Sequence, residues 1–411
     1  LAVHFQGFAP LFTPDLPNQE CWSLHFGIFR YSVLVIRSKP IHYPNSMKRI
    51  FFALALSLLA APAKSQFHSL TIPQASQPVS ETQRGGVTDI TLQYSSPRVR
   101  GRDVWATEIP QNGNPIAWRA GANMATTIEF STDVQVEGKA LPAGRYGFHI
   151  IPTDNRYRLL FVQPADQWGS YYLDLEQDVV LEVTVQGTET EFSEKLDYEF
   201  DYAAEDALVI ALEWADRRVP FRVSVDLEET VMASFRSELR GLNTYRWQAW
   251  NDAARWCLNH DTHLEEALTF ANRSIEGGYN GFAANKNANN MGTKMELLVA
   301  LERTEEALTL VNEFAYLEYS PYDAAQLIET LLRMQQVEKA AEFTQRAMKK
   351  HPNEWVLELR LGQTQYLQGN ARRAVKTMQG VLDIVPLGFR SRLEEVIAQM
   401  EAGDYRLPAL N

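Results

Sequence analysis

The chain has 411 residues, 51 of them acidic against 39 basic, and a net charge of −12. Such an acidic surface repels phosphate backbones and anionic lipid headgroups, which argues against nucleic acid as a partner and against a membrane surface. With 45% apolar residues and this length, the chain can build two folded domains.

The first patterned segment is Met47-Lys48-Arg49, a short cationic start. An uncharged apolar run from Ile50 to Ala61 follows, then small residues at Ala63 and Ser65. This layout predicts a secretory signal over 47–65, cleaved before Gln66, with residues 1–46 a non-native upstream extension outside the fold. The apolar run is shorter than the roughly 20 residues of a membrane-spanning helix. The expectation is therefore an exported protein, periplasmic or secreted, with no transmembrane segment after cleavage. Residues 66–411 would then hold 33 basic and 49 acidic side chains, net −16, and one cysteine, Cys257. No internal disulfide is expected, and a large exported domain can fold without one. Cys257 shares an apolar helical pattern with Trp250, Ala253, Ala254 and Leu258, so a buried, inert thiol is expected.

From about Val87 to Val225 the pattern is that of strands. Runs rich in Val, Ile, Tyr and Phe occur at 90–94, 126–131, 146–151, 157–162, 179–185, 195–200, 207–214 and 221–225. Thr126-Thr127-Ile128-Glu129-Phe130 and Leu181-Glu182-Val183-Thr184-Val185 show the period of two plainly, and Pro and Gly punctuate the gaps. Eight such runs without intervening helices predict an antiparallel β-sandwich, jelly-roll-like, over 66–228.

Beyond about Glu228 the period becomes helical. Four segments share one spacing: Leu264-Glu265-Glu266-Ala267, Thr304-Glu305-Glu306-Ala307, Val337-Glu338-Lys339-Ala340 and Ala371-Arg372-Arg373-Ala374. Their alanines lie 40, 33 and 34 residues apart. A period near 34 is the tetratricopeptide spacing, one helix pair per repeat. His351-Pro352 and Val385-Pro386 would end second helices, since proline cannot donate within a helix. The Asn- and Gly-rich stretch from Gly277 to Gly292 reads as a loop that stretches the first interval. Residues 229–411 are thus expected to form a tetratricopeptide-like helical solenoid of three to four pairs.

Residues 94–123 hold an unusual cluster within the β half. Arg98, Arg100, Arg102 and Arg119 interleave with Trp105 and Trp118 among many prolines and glycines. Arginine holds a carboxylate or phosphate with two hydrogen bonds and stacks on indole faces. Arg98, Arg102, Trp105, Trp118, Arg119, Asn123, His149 and Trp168 are therefore the candidate residues for a small anionic or carbohydrate ligand. The opposing structural expectation pairs Arg119 with a buried acid and uses the tryptophans as core.

Several of these strings carry a resemblance. Tyr94-Ser95-Ser96-Pro97, Trp118-Arg119-Ala120-Gly121-Ala122-Asn123, Leu141-Pro142-Ala143-Gly144-Arg145-Tyr146-Gly147 and Trp168-Gly169-Ser170 resemble an exported bacterial family, domain of unknown function 2911, over about Ser69 to Val225. The resemblance implies an envelope location and a β-rich fold, often with a helical repeat tail. It implies no activity, substrate or catalytic residue.

Catalytic signatures are absent from the sequence: no GxSxG elbow, HExxH, P-loop or dinucleotide fingerprint occurs. No cofactor and no metal are expected. The histidine pair in His260-Asp261-Thr262-His263 falls at a helix start, where Asp261 or Thr262 would cap. The leading expectation is a binding or scaffolding protein whose helical repeats hold an envelope protein or peptide. The alternative is a carbohydrate- or anion-binding protein, or a hydrolase, using Arg98, Arg119, Asn123 and His149. In that reading Asp103 or Glu108 acts as acid or base, or Ser170 or Asp174 partners His149.

Overall fold

A computed structural model describes residues 21–26 and 29–34 by their backbone, and 73–109, 117–153 and 155–407 in fuller detail. The expected signal at 47–65 and its cleavage point lie outside the described residues. Within the expected upstream extension, strands β1 (Cys21–Phe26) and β2 (Phe29–Leu34) pair as an antiparallel hairpin in a unit of their own, residues 1–72.

The second unit begins at Pro73. Its β part contains β3 (Gln77–Gly85), β4 (Thr88–Ser96), β5 (Thr126–Phe130), β6 (Val134–Val136), β7 (Lys139–Leu141), β8 (Gly144–Thr153), β9 (Arg156–Val162), β10 (Val179–Gln186), β11 (Thr188–Ala204) and β12 (Ala207–Ser224). Two antiparallel sheets form, in the orders β10-β9-β8-β5-β4-β3 and β11-β12-β6-β7. Alternation sends one side-chain set of each sheet inward. Leu92, Ile128, Phe148, Ile150 and Phe161 of the first sheet share a core with Leu196, Tyr198, Ile210, Leu212 and Phe221 of the second. Phe148 lies 5.4 Å from Phe221 and 5.3 Å from Phe161, ring centre to ring centre. This is the expected sandwich.

Its details depart from the sequence pattern: the short strands β6 and β7 fall outside the expected runs, β11 starts earlier than the run at 195–200, and three further departures have a clear physical reason. Strand β3, nine residues and mostly polar, carries no apolar alternation; it is an edge strand, held by continuous pairing from Gln77↔Ser96 to Gly85↔Thr88. The runs 207–214 and 221–225 are one strand with a positive-φ residue at Ala215. Pro220 is tolerated within it because pairing to β11 stops at Arg218 and pairing to β6 starts at Val223, so no ladder bond is lost. Strand β8 is buried on both faces, because the chain after Val162 folds back over its outer side. There Ile151, Leu160 and Val162 pack with Ala117, Leu173 and Val179.

The helices follow directly: α1 (Leu227–Glu238), α2 (Trp247–Asn259), α3 (Leu264–Glu276), α4 (Ala288–Ala300), α5 (Thr304–Phe314), α6 (Pro321–Arg333), α7 (Val337–Lys350), α8 (Trp355–Leu367), α9 (Ala371–Leu382) and α10 (Leu387–Ala402). Asp226 caps α1, its carboxylate accepting from the Glu229 N–H at 3.1 Å. Ala267, Ala307, Ala340 and Ala374 each stand fourth in the second helix of a pair, and all four are fully buried. A larger side chain there would hold the paired helices apart. The first helices α2, α4, α6 and α8 touch in succession, which makes the array a tetratricopeptide-like solenoid closed by α10.

Two local expectations are corrected. The Gly277–Gly292 stretch is not all loop: α4 starts at Ala288, and Asn287 and Asn290 cap it reciprocally. Neither Asp261 nor Thr262 caps α3. His263, at φ 49°, takes the cap position, and the Thr262 hydroxyl donates to Glu228 at 2.7 Å. Cys257 is buried against Met232, with its sulfur 3.4 Å from the thioether, and burial pushes its thiol up to about 11. No helix among the described residues is long and apolar enough to cross a membrane.

Candidate functional site

A groove in the helical array encloses about 770 Å³ and is walled by α6, α8 and α10. Its walls are apolar: Trp355, Leu359, Val385, Phe389 and Val396 line it, with Tyr322 at the edge. Phe389 packs on Trp355 at 5.5 Å yet stays 52% exposed, and Tyr322 is 63% exposed. Amphipathic helices normally hide such rings, so their exposure marks a surface available for contact.

The floor is polar, and its register explains why. Glu329 and Gln363 line it as the ninth residues of α6 and α8, and Arg255 and Glu296, outside its lining, hold the same place in α2 and α4. Arg255 donates to Glu296 at 2.6 Å and to Thr293 at 2.7 Å. Glu329 accepts from Arg333 at 2.6 Å and from Arg360, whose guanidinium also donates to the Ala325 carbonyl at 3.1 Å and to Gln363 at 2.7 Å. Gln363 in turn donates to the Tyr405 hydroxyl at 2.7 Å. Burial draws the Arg360 guanidinium below its ordinary range, against the pull of Glu329. This network is internally satisfied. Arg392 and Arg406, which also line the groove, have no hydrogen-bond or ion-pair partner among the described residues.

The eight candidate residues of the β half do not converge on one pocket. Arg98 and Arg102 line a shallow 290 Å³ surface depression with Arg100. Trp105, on a π-helical turn at Val104–Glu108, and Trp118 turn inward. Trp118 stacks on Trp214 at 5.8 Å, and the Trp105 indole N–H donates to the Trp214 carbonyl at 3.0 Å. These two tryptophans are core, on the pattern of the structural expectation. Arg119, next in sequence, points to the opposite face, as consecutive residues of extended chain do. It pairs with no acid among the described residues, and its Nε–H is buried without a partner.

His149 lies on that same outer face, fully buried beneath Gly169. Its Nε2 approaches the Gly169 carbonyl at 3.4 Å; a carbonyl only accepts, so Nε2 carries the proton and Nδ1 is left a bare lone pair. Burial, with the Arg119 charge adding to it, pulls the imidazole down to about 4. Neither Ser170 nor Asp174 hydrogen-bonds to it; the Asp174 carboxylate accepts from the Glu176 and Gln177 backbone instead. Asp103 is engaged in capping the π turn, accepting from Ala106 N at 3.1 Å, and the Glu108 side chain lies outside the described residues.

Asn123 and Trp168 do share a cavity. They line a 540 Å³ trough on the outer face of the six-stranded sheet, with Gln93, Thr127, Arg145 and Asp166. Residues 76–223, the span containing this trough, match the model of a family described as a protein of unknown function, DUF2911. The match falls on the β-sandwich and on none of the α-helices that follow it. The trough, the buried Arg119–His149 pair and the tryptophan core are thus all features of the matched part, whereas the larger groove is not. Among solved structures, the chain is similar to YrrB, described as a TPR protein with an unusual peptide-binding site. The identity is 16%, over 42% of this chain and 85% of that one, with a TM-score of 0.28. A comparison with curated proteins finds no match.

None of the groove residues is a candidate for binding from sequence; Val385 and Pro386 are expected only to end a helix. A signal was present: Arg255, Glu296, Glu329 and Gln363 recur at 41, 33 and 34 residues, almost the alanine intervals.

Proposed function

We propose that this is an exported binding protein whose helical groove holds an apolar, acid-bearing segment of an envelope protein or peptide. The observation that carries the reading is the groove between α6, α8 and α10, with exposed aromatic walls and two arginines that have no partner among the described residues. Apolar walls reward burial of partner side chains at about 25 cal/mol per Å². Arg392 and Arg406 favour a carboxylate beside them, since Glu329 and Arg360 on the floor are already paired and Glu395 is a single opposing charge on the lining. Export is supported by the cationic start, apolar run and small residues at 47–65.

The test is selection of a displayed random-peptide library on the purified chain. Enriched peptides should join a large apolar residue to an acidic one. Phe389→Asp and Arg392→Glu, both at exposed positions, should each weaken the best peptide at least tenfold. Peptides that bind both variants as well as the parent would overturn the reading.

A further inference from the structure

The trough on the outer face of the six-stranded sheet is lined by none of the groove's residues. Its floor follows from cross-strand register: Gln93, Thr127 and Gly147 are neighbours on β4, β5 and β8. Gly147 has no side chain to hold the returning chain off. A Cβ there would lie 3.5 Å from the Ala165 backbone and 2.9 Å from Val162, so the segment that ends in Trp168 can lie close against the sheet. The Ala125 N–H donates to the Gln167 carbonyl at 3.0 Å and fixes that wall. Trp168 therefore stands at the rim, 62% exposed, where an indole usually finds cover.

The polar groups in the trough are planar and paired. Arg145 donates to Asp166 at 2.7 Å, leaving the other carboxylate oxygen and part of the guanidinium fork open; Asp166 is 72% exposed. Asn123 spends its NH₂ on Gln74 at 3.0 Å and Ser95 at 3.2 Å, which leaves its carbonyl free to accept. Among the described residues, Arg145 and Asp166 are the only formally charged ones lining the trough, so together they offer neither sign to an ion.

We infer that this trough binds an uncharged pyranose unit of a saccharide. The apolar C–H face of a pyranose packs on an exposed indole, here Trp168. Vicinal hydroxyls match the two-pronged Asp166 carboxylate and Arg145 guanidinium, and a third hydroxyl donates to Asn123. Charge neutrality of the lining selects against acidic sugars and phosphates, and a polar floor selects against a purely apolar ligand.

The experiment is calorimetric titration of the purified chain with soluble cello-, manno- and galacto-oligosaccharides, with polygalacturonate as the charged comparison. At least one neutral series should bind, and polygalacturonate should bind it less well or not at all. Trp168→Ala and Asn123→Ala should each weaken binding at least tenfold. Tyr172→Ala, an exposed ring outside the trough, should leave it unchanged. Hydrogen exchange across β4 and β5 reports whether each variant keeps its sheet; if Asn123→Ala disturbs it, Asp166→Asn serves in its place with the same expected loss. Binding of no neutral series, preference for polygalacturonate, or full affinity in a folded Trp168→Ala overturns the inference. Phe389→Asp should retain saccharide binding, so failure here and failure of the groove reading are separate results.

Discussion

The sandwich and the helical array bury their cores by different means. The sandwich closes on large rings, Phe130, Phe148, Phe161 and Phe221, brought together from strands far apart in sequence. The array closes mainly on alanines and flexible or branched aliphatics such as Ala307, Ala340, Met291, Met295 and Leu331, and its buried rings Phe314, Tyr319 and Phe343 come from neighbouring segments of the chain. Their polar groups differ in the same sense. The array buries an Arg–Glu–Gln network that passes from one helix pair to the next, while the sandwich's comparably buried ion pair, Arg218 with Glu213, joins two residues of a single strand. A repeat passes one register from helix to helix, so polar residues line up as apolar ones do. A sheet sends neighbours to opposite faces, so a cluster in sequence is dispersed in space.

This contrast is sharpest in the core. Phe161→Ala should cost about 3–5 kcal/mol, since a fully buried ring leaves a cavity its rigid neighbours cannot fill. Hydrogen exchange should show the loss concentrated in β5, β8 and β9, with α6 to α9 far less affected. Equal loss in both regions would mean that sandwich and array unfold as one unit.

The buried network offers the reciprocal break. Glu329→Ala removes the carboxylate that pairs with the buried Arg360, at a cost of about 3–5 kcal/mol. Protection should fall in α6 and α8 and persist in the sandwich. An unchanged urea midpoint would show that the network contributes specificity alone.

A smaller effect separates the regions by pH. His149 takes a proton near 6.5 when unfolded but only near 4 when folded, so unfolding takes up a proton between those values. Its contribution to stability is complete above about pH 6.5 and is lost as pH falls toward 4, roughly 3 kcal/mol over the window. Urea titrations at pH 7 and 4.5 should show this slope, and His149→Gln should flatten it. A slope that survives the substitution would assign it to other groups.

Much of the architecture was legible in the residues themselves. The change of period near Glu228 marks the change from sheet to helix, because side-chain geometry on each backbone imposes that period whatever the neighbours are. The four alanines announced the helix pairs, since close helix approach tolerates only small side chains. Strand β3 was illegible: an edge strand with exposed faces needs no apolar alternation and is defined by the partner it pairs with. The candidate ligand residues were legible as chemistry and not as placement. Trp118 and Arg119 are adjacent in sequence, yet one is core and the other lies beside His149 on the far side of the sheet.

Composition and periodicity alone determined the two fold types, their order, the acidic character and the inert cysteine, because each depends on local pattern or on totals. Tertiary structure decided which polar groups meet. It set Asn123 opposite Trp168 across the sheet surface, and it aligned Glu329 with Arg360 from the next repeat. Those encounters depend on strand register and helix stacking, which arise only when distant segments exclude water together.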